Sequence, residues 1–503
     1  MSRLAYLRGI IGVVAAALLA WSISVLEGEM QGLAIEPLDV GTTPATVYRD
    51  PDVTSAPIVV IAHGFAGSQQ LMKAYALTLA KARYIAVTFD FEGHGANPVP
   101  MSGDVTSVDG TTQRLVNETL RVMDAARAEF DLSDRMVLLG HSMATDIIVR
   151  AAQADGDVEA VVGVSTFSQA IDRDSPENLL LIVGQWEGML REEALRVVQL
   201  IDRSAQEGEM VGSFANGSAR KVFVVPQAEH VAVLYAPSAL QEAREWIDDV
   251  FDTVRWEGPV PELGLPIIAL LAGLVGLIWP LSQALPALAL RVPEQRMSVR
   301  RFIGVVLLVA VLTPILVAQF NTRFLPVLVA DYLSVHLFVY GVAALFFLFF
   351  SGAVSPRGML FSVMFGLLVA AYGVLAFGFG LDSYVASFSA IDARLPIIAI
   401  IAVGAIPFMI ADAALTERGH APLWRTLFAR GMFLVSLSIA VALDFERLFF
   451  LLLIMIVILL FFVVFGTLGG VVGRRTGLAG IPGVGNGITL AWALGVTFPL
   501  FAA

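Results

Sequence analysis

The chain of 503 residues contains no cysteine, only six histidines and few charged residues, 15% of the total. Without cysteine the protein needs no disulfide machinery, and no cluster with metal-ligand spacing occurs, so we expect neither a metal nor a cofactor. A formal net charge of −12 argues against a nucleic-acid partner, because binding phosphates requires a basic face. Apolar sequence dominates instead: 57% of the residues are hydrophobic, more than a soluble domain carries.

Apolar runs of about 18 or more residues, long enough to cross a bilayer as a helix, occur at the start of the chain and after Glu262. The first, Gly9 to Leu26, is long for a cleaved signal peptide and lacks a clear cleavage site, so we expect residues 1–26 to form an uncleaved transmembrane anchor. Residues 263–503 predict a transmembrane domain of about seven to eight helices, with a flexible connection at the glycine-rich stretch 477–487. The expected spans are Leu263 to Leu281, Phe302 to Phe320, Val335 to Gly352, Met359 to Gly380, Pro396 to Leu415, Met432 to Leu443, Phe449 to Val472 and a weaker Ile488 to Ala502.

Lysine and arginine placement predicts the side of the membrane on which each loop lies, because cytoplasmic loops are enriched in both. With a cytoplasmic N-terminus, the region 27–262, which holds 36 acidic and 17 basic residues, lies outside. We therefore expect a bacterial-type cytoplasmic membrane with this region on its periplasmic or extracellular side. The basic residues that then fall inside are Arg291, Arg296, Arg300, Arg301, Arg357, Arg418, Arg425, Arg430, Arg474 and Arg475, against Arg323, Arg394 and Arg447 outside.

The region 27–262 alternates short β-branched runs, typical of buried strands, with helical patterns. This alternation predicts a mostly parallel sheet with helices on both faces, in a region large enough to form its own core. The expected strands are Ile58 to Ala62, Tyr84 to Phe89, Met136 to Leu139, Val158 to Val164, Leu179 to Val183 and Lys221 to Val225, and the expected helices include Thr145 to Gln153, Arg191 to Arg203 and Ser238 to Phe251.

The most informative motif is Gly140-His141-Ser142-Met143-Ala144, which stands between an expected strand and an expected helix. A strand, a sharp turn and a helix with serine at the apex form a nucleophile elbow, in which small residues flank the serine because strand and helix approach closely. Gly140 meets this need, whereas Ala144 stands where a second glycine is more usual. Two further turns follow strands, His63-Gly64-Phe65 and Asp90-x-x-Gly93-His94-Gly95.

With these three motifs in this order, the segment from about Ile58 to Phe251 resembles the α/β-hydrolase superfamily, here joined to a multi-span membrane domain. The resemblance implies an α/β-hydrolase domain over residues 27–262, followed by an all-α polytopic transmembrane domain. It also implies a serine hydrolase whose catalytic residues follow one another in the order serine, acid, histidine.

Ser142 is the expected nucleophile, and a serine needs a base within hydrogen-bond reach. His230, after the last expected strand, is the candidate for this base because an imidazole can take the proton and return it to the leaving group. The acid that orients the imidazole is expected to be Glu187, with Asp172 or Asp174 as the alternative.

For the oxyanion hole, the resemblance implies the backbone N–H groups of Phe65 and Met143. The side chain of His141 is expected to point away from the site. The motif residues expected to hold turns and loops, without a part in the chemistry, are His63, His94 and Asp90.

The reaction expected of such a site is the cleavage of carboxylic esters, lipid or acyl esters foremost, through an acyl-serine intermediate. A peptidase or amidase of the same fold, and a non-catalytic membrane protein that senses a ligand through a hydrolase-like domain, stay open as alternatives. The expected partners are a small-molecule or lipid ester substrate and membrane lipids, and the sequence leaves the oligomeric state undetermined. Only about 14 residues, Thr166 to Leu179, separate two neighbouring strands, which leaves no room for a lid.

Overall fold

The structure is a computed structural model that describes residues 3–104, 108–130, 135–253, 256–288, 297–320, 322, 324–325, 327, 329–352, 354 and 358–502. Four arginines on which the expected orientation depends, Arg291, Arg296, Arg323 and Arg357, lie outside these residues. The chain forms two compact units. The sheet unit comprises Trp21–Ile268, Asp382–Ser387 and Pro499–Ala503, and the helical unit comprises Met1–Ala20, Ala269–Leu381 and Phe388–Phe498.

The sheet unit is organised around one mixed sheet. Within the described residues its strands are β1 (Ala34–Leu38), β2 (Ala45–Arg49), β3 (Ile58–Ala62), β4 (Ile85–Phe89), β5 (Met136–His141), β6 (Val158–Val164), β7 (Leu179–Gly184), β8 (Met210–Val211) and β9 (Arg220–Val225). They are arranged in the order β1-β2-β4-β3-β5-β6-β7-β9-β8. The run from β4 to β9 in this order is parallel, whereas β1, β2 and β8 are antiparallel additions at the edges.

Helices cover both faces of this sheet, so the predicted mostly parallel sheet with helices on both faces is confirmed. The helices in this part of the chain are α1 (Arg3–Met30), α2 (Lys73–Lys81), α3 (Gln113–Phe130), α4 (Met143–Asp155), α5 (Gly188–Val198) and α6 (Pro237–Val250). Buried residues of α3, α4 and α5 share one core with Ile58 and Val60 of β3. On the alternate face Val59 and Ile61 are also fully buried, and α2 and α6 contact each other and the sheet.

The sequence did not indicate the edge strands. β1 is largely exposed and β8 is two residues long, so neither carries the apolar run that marks a buried strand. Helix α5 also begins and ends earlier than the expected stretch Arg191 to Arg203.

A short stretch from the far end of the sequence pairs with the loop that follows β4. The N–H of Leu500 donates to the carbonyl of Gly93 at 2.9 Å, and the N–H of Met101 donates to the carbonyl of Leu500 at 2.8 Å. Gly93 has a φ of +75°, and a Cβ there would lie 2.4 Å from the Leu500 carbonyl oxygen. Only glycine therefore allows this close pairing.

The second part of the chain is helical. Its helices are α7 (Gly264–Leu281), α8 (Val299–Val317), α9 (Ala330–Phe350), α10 (Met359–Ala371), α11 (Phe377–Leu381), α12 (Leu395–Leu415), α13 (Leu423–Leu443), α14 (Phe445–Leu448), α15 (Leu451–Thr476) and α16 (Gly480–Thr497). Among the described residues, eight helical stretches have the length and composition to cross a membrane, which supports a multi-pass membrane protein. They are Arg3–Met30, Gly264–Ala284, Val299–Val317, Ala330–Phe350, Met359–Leu381, Asp392–Leu415, Leu423–Leu443 and Leu451–Thr476.

The expectation of a flexible connection at residues 477–487 is wrong, because helix α16 begins at Gly480. Glycines of this stretch face α12 at close range: a Cβ on Gly483 would lie 2.5 Å from Ile410 Cα, and one on Gly487 would lie 2.6 Å from Ile406 Cα. The glycines therefore permit two helices to pack backbone against backbone, as small residues do in membrane proteins.

Candidate active site

Ser142 lies at the tight turn between β5 and α4. Its φ of 55° and ψ of −119° are rare for a residue with a side chain and cost about 1–3 kcal/mol, a strain typical of functional turns. A Cβ on Gly140 would lie 2.9 Å from Ile148 Cδ1 and 3.2 Å from Ala144 Cβ. Glycine at position 140 therefore leaves room for the methyl group of Ala144 and for Ile148, which a side chain at this position would crowd.

His230 and Glu187 converge on this serine from the ends of two other strands. His230 Nε2 lies 2.9 Å from Ser142 Oγ, and His230 Nδ1 lies 2.6 Å from Glu187 Oε1. The serine hydroxyl can therefore donate to Nε2 while Nδ1–H donates to the carboxylate, the hydrogen-bond chain of a serine, histidine and acid triad. The three residues follow β5, β7 and β9, whose carboxyl ends meet at one edge of the parallel sheet.

The carboxylate of Glu187 is buried, with 5% of its side chain exposed. Its second oxygen, Oε2, accepts from the Gly184 N–H at 2.7 Å and from the Ser165 hydroxyl at 2.8 Å. Burial alone would raise the pKa of Glu187, but the hydrogen bonds from His230, Gly184 and Ser165 outweigh it and lower this pKa. Glu187 is therefore ionised and able to hold the imidazole in one tautomer.

The alternative acids serve a different purpose. Asp172 Oδ1 accepts from the N–H groups of Asp174 and Ser175 at 2.8 and 2.9 Å, which closes a local turn. The structure thus brings Glu187, rather than either aspartate, to His230. Ser165 was not among the residues predicted from the sequence, although its place directly after β6, at the same sheet edge, was an available signal.

The expectation that His141 points away from the site is wrong. Its Nε2–H donates to the backbone carbonyl of His230 at 2.9 Å, and the two rings lie 4.7 Å apart. Burial lowers the pKa of His141 to about 3, so the ring is neutral. A neutral His141 holds the loop of His230 without adding a charge beside it.

The turn after β3 runs directly against Ser142. A Cβ on Gly64 would lie 3.0 Å from Ser142 Cβ and 3.1 Å from the His141 carbonyl oxygen. Phe65 follows in this turn, and Met143 is the first residue of α4, where backbone N–H groups have no partner within the helix. Both segments therefore lie beside Ser142, and the use of the Phe65 and Met143 N–H groups as an oxyanion hole stays a prediction.

The other motif residues join loops around the site. Asp90 accepts from the N–H groups of Gln69 at 2.7 Å and Ala96 at 3.0 Å. His63 Nε2 accepts from the Phe91 N–H at 3.1 Å, so Nδ1 carries the proton and donates to the Gly64 carbonyl at 2.8 Å. Among the described residues, no group of three or more His, Asp or Glu side chains could hold a metal ion.

Several exposed apolar residues belong to the chain segments that carry Ser142, His230 and Glu187 or are bonded to them. Trp186 directly precedes Glu187 and is 66% exposed, and Val231 directly follows His230 and is 48% exposed. Phe167, also exposed, has its N–H bonded to Thr145 Oγ1 at 3.2 Å, three residues beyond Ser142. We call these residues, with the exposed Met189, the apolar rim.

Part of the chain matches the model of a known protein family. Residues 54–211 match a family model described as serine aminopeptidase, S33, a segment that includes Ser142 and Glu187 and ends before His230. No curated protein matches the chain. The chain is similar to the solved structure of a predicted CIB-like hydrolase from Thermoplasma acidophilum, with 13% identity over 43% of this chain and 96% of that chain and a TM-score of 0.32. It is also similar to a dienelactone hydrolase from Anabaena variabilis, with 15% identity over 44% of this chain and 98% of that chain and a TM-score of 0.32. A membrane phospholipase A is similar at 15% identity over 50% of this chain and 96% of that chain, with a TM-score of 0.32.

Because these identities and TM-scores are low, the class rests on the family match and on the observed strand order and elbow. Together they confirm the resemblance: the sheet unit is an α/β-hydrolase domain, in a chain that also carries a helical membrane region.

Proposed function

We propose that this protein is a membrane-bound serine hydrolase that cleaves carboxylic esters, with acyl or lipid esters as its substrates. The observation that carries the proposal is the continuous hydrogen-bond chain from Ser142 Oγ through His230 to Glu187. No cofactor takes part in the proposed reaction.

In the first half of the reaction, His230 Nε2 takes the proton of Ser142 while Oγ bonds to the ester carbonyl carbon. The N–H groups of Phe65 and Met143 bind the resulting oxyanion. The carbon–oxygen bond to the alcohol then breaks, and His230 returns the proton to that leaving group. In the second half a water, deprotonated by His230, attacks the acyl carbon of the acyl-serine. The bond between that carbon and Oγ then breaks, His230 returns the proton to Oγ, and the acid leaves. Glu187 stabilises the imidazolium in both halves.

The apolar rim supports an ester with an apolar acyl or alcohol part. Trp186 and Met189, one residue before and two residues after Glu187 in the chain, are 66% and 84% exposed, and covering such apolar surface contributes about 25 cal/mol per Å². Membrane lipids are the proposed source of such substrates, since the chain carries stretches that can cross a bilayer.

A peptidase or amidase is the second candidate, favoured by the description of the matching family model as a serine aminopeptidase. The same nucleophile chemistry serves both bonds, and only the leaving group differs. Purified protein offered matched acyl p-nitrophenyl esters and aminoacyl p-nitroanilides separates the two candidates.

The decisive variant for the proposed function is Ser142→Ala, because it removes the attacking oxygen and keeps the Cβ atom. We expect the wild type to hydrolyse short acyl esters and to be labelled by a fluorophosphonate, and the variant to do neither while keeping its unfolding temperature. His230→Asn should lose labelling as well. Unchanged turnover in Ser142→Ala would remove the serine from the mechanism, and a wild type inert to both assays would favour the ligand-sensing alternative.

We further infer that the sheet unit faces the outer side of a bacterial-type cytoplasmic membrane. The distribution of arginines among the loops supports this orientation, as does the excess of acidic residues in the region 27–262.

A further inference from the structure

The turn that carries Phe65 is bonded to a segment distant in the sequence. Residues 382–387 lie between α11 and α12, yet they belong to the sheet unit. The N–H of Ser387 donates to Ser68 Oγ at 3.0 Å. Both residues are buried, with 6% and 1% of their surface exposed. A buried hydrogen bond of this kind is costly to break, because the buried N–H would then have neither this acceptor nor a water molecule to bond with.

Two more contacts fix the same segment. The ammonium group of Lys73 donates to the Ser383 carbonyl and lies 5.6 Å from the centroid of the Tyr384 ring. The Tyr384 hydroxyl donates to a carboxylate oxygen of Glu27, at the end of α1. Lys73 is 8% exposed, and its burial lowers its pKa, although the negative charges of Glu27 and Asp382 act in the opposite direction. Because a buried ammonium group requires partners, these contacts make the position of the segment specific.

Ser68 transmits this position to the nucleophile. The Gly67 N–H donates to the Gly64 carbonyl at 3.0 Å, and Gly64 is the residue that lies against Ser142. On the other side of Ser68, the N–H of Gln69 is bonded to Asp90 at 2.7 Å. The turn 64–68 is thus held by Asp90 at one point and by Ser387 at another.

We propose that residues 382–387 are a brace that positions the turn 64–68, and with it the Phe65 N–H, so that turnover by the hydrolase domain depends on a segment encoded between two membrane spans. The proposal rests on the proposed function, because the position of Phe65 matters for turnover only if its N–H binds the oxyanion. An oxyanion donor acts only within about 2.7–3.1 Å of the developing charge, so a loosened turn should lower kcat and leave KM unchanged.

The test compares Ser68→Ala, which removes the acceptor, with Ser68→Thr, which keeps the hydroxyl. The backbone at Ser68 is extended, with φ −156° and ψ 171°, and a β-branched residue fits that conformation. Ser204→Ala, on the exposed surface of the same unit, is the control. All are made in the full-length protein in detergent, with two readouts: ester hydrolysis, and hydrogen–deuterium exchange of peptides covering the turn.

For Ser68→Ala we expect faster exchange in the turn 64–68, a kcat lower by about tenfold, and a KM within about twofold of wild type; losing a whole oxyanion donor would cost about 10²–10³. Ser68→Thr and Ser204→Ala should behave as wild type. Should Ser68→Ala not fold, Tyr384→Phe loosens the brace at its far end, and the same changes are expected in the same direction.

Unchanged exchange in the turn, or faster exchange throughout the sheet unit with kcat and KM altered together, would overturn the brace. Failure of the proposed function looks different, since the wild type would then neither turn over esters nor react with a fluorophosphonate. In that case the exchange readout alone still decides whether residues 382–387 hold the turn.

Discussion

The hydroxyl of Ser165 offers a quantitative test of how the candidate acid is held. It donates to Glu187 Oε2 at 2.8 Å, next to the Gly184 N–H at 2.7 Å. A hydrogen bond to a charged group contributes about 1.5–3 kcal/mol, and here it favours the ionised form of the carboxylate and so lowers its pKa. Ser165→Ala should therefore raise the pKa of Glu187 towards or beyond its ordinary value while leaving it ionised at pH 8.

Activity should respond in two ways. Because the Gly184 N–H still holds Oε2, kcat at pH 8 should fall by no more than about tenfold, or about 1.4 kcal/mol. A carboxylate with one donor fewer binds a proton more tightly, so the acid limb of kcat/KM should move to higher pH, by up to about one unit. Glu187→Gln is the contrasting variant: it cannot hold the imidazole in the required tautomer, and we expect kcat to fall by about 10⁴.

The assay is initial-rate hydrolysis of a soluble p-nitrophenyl ester between pH 5 and 9. Ser165 has a φ of +55°, a conformation that glycine adopts freely, so Ser165→Gly removes the hydroxyl while relieving backbone strain. Equal acid-limb shifts in the Ala and Gly variants would assign the effect to the hydroxyl. An acid limb that stays in place in both, or a Glu187→Gln enzyme as active as Ser165→Ala, would contradict the role assigned to the Ser165 hydroxyl.

Two further predictions concern stability and topology. Burial lowers the pKa of His141 to about 3, so between pH 3 and the ordinary value of 6.5 the unfolded chain holds a proton that the native chain lacks. The free energy of unfolding therefore falls as the pH falls below 6.5, by about 1.4 kcal/mol per pH unit. Between pH 6.5 and 5 the unfolding temperature of His141→Gln should fall less steeply than that of the wild type, and an equal slope in the two proteins would contradict this prediction. In the cysteine-free chain, Glu192→Cys on the exposed face of α5 should react with an impermeant maleimide in spheroplasts, and His420→Cys only after permeabilisation; the reverse pattern would invert the orientation.

The sequence was most informative where chemistry and topology impose local rules. Parallel strands place their carboxyl ends at one edge, so residues after separate strands, such as Ser142, His230 and Glu187, could be predicted to converge. The same rule gives no reason to choose Ser165, since a serine after a strand is common and only its distance to Glu187 distinguishes it. His141 was misjudged because its partner is a backbone carbonyl, which sequence cannot reveal.

Long-range contacts and the glycine-rich helix α16 could not be predicted from local sequence patterns, for two different physical reasons. The bond between Ser387 and Ser68 joins residues 319 positions apart, and neither residue type marks it. Glycine weakens helices in water by about 1 kcal/mol per residue, which made residues 477–487 resemble a loop. In an apolar environment the backbone has no water to bond with, so helix α16 forms despite its glycines and uses them to approach α12.

The sheet unit is discontinuous in the chain, and this affects the moment at which it can be completed. Its main body ends at Ile268, but the partner of Ser68 comes from 382–387 and the partner of Gly93 from 499–503. A ribosome reaches those residues only after it has translated α7 to α11 and then α12 to α16. The contacts of Ser68 and Gly93 with these segments can therefore form only after the ribosome has made the helices that lie between the segments in the sequence.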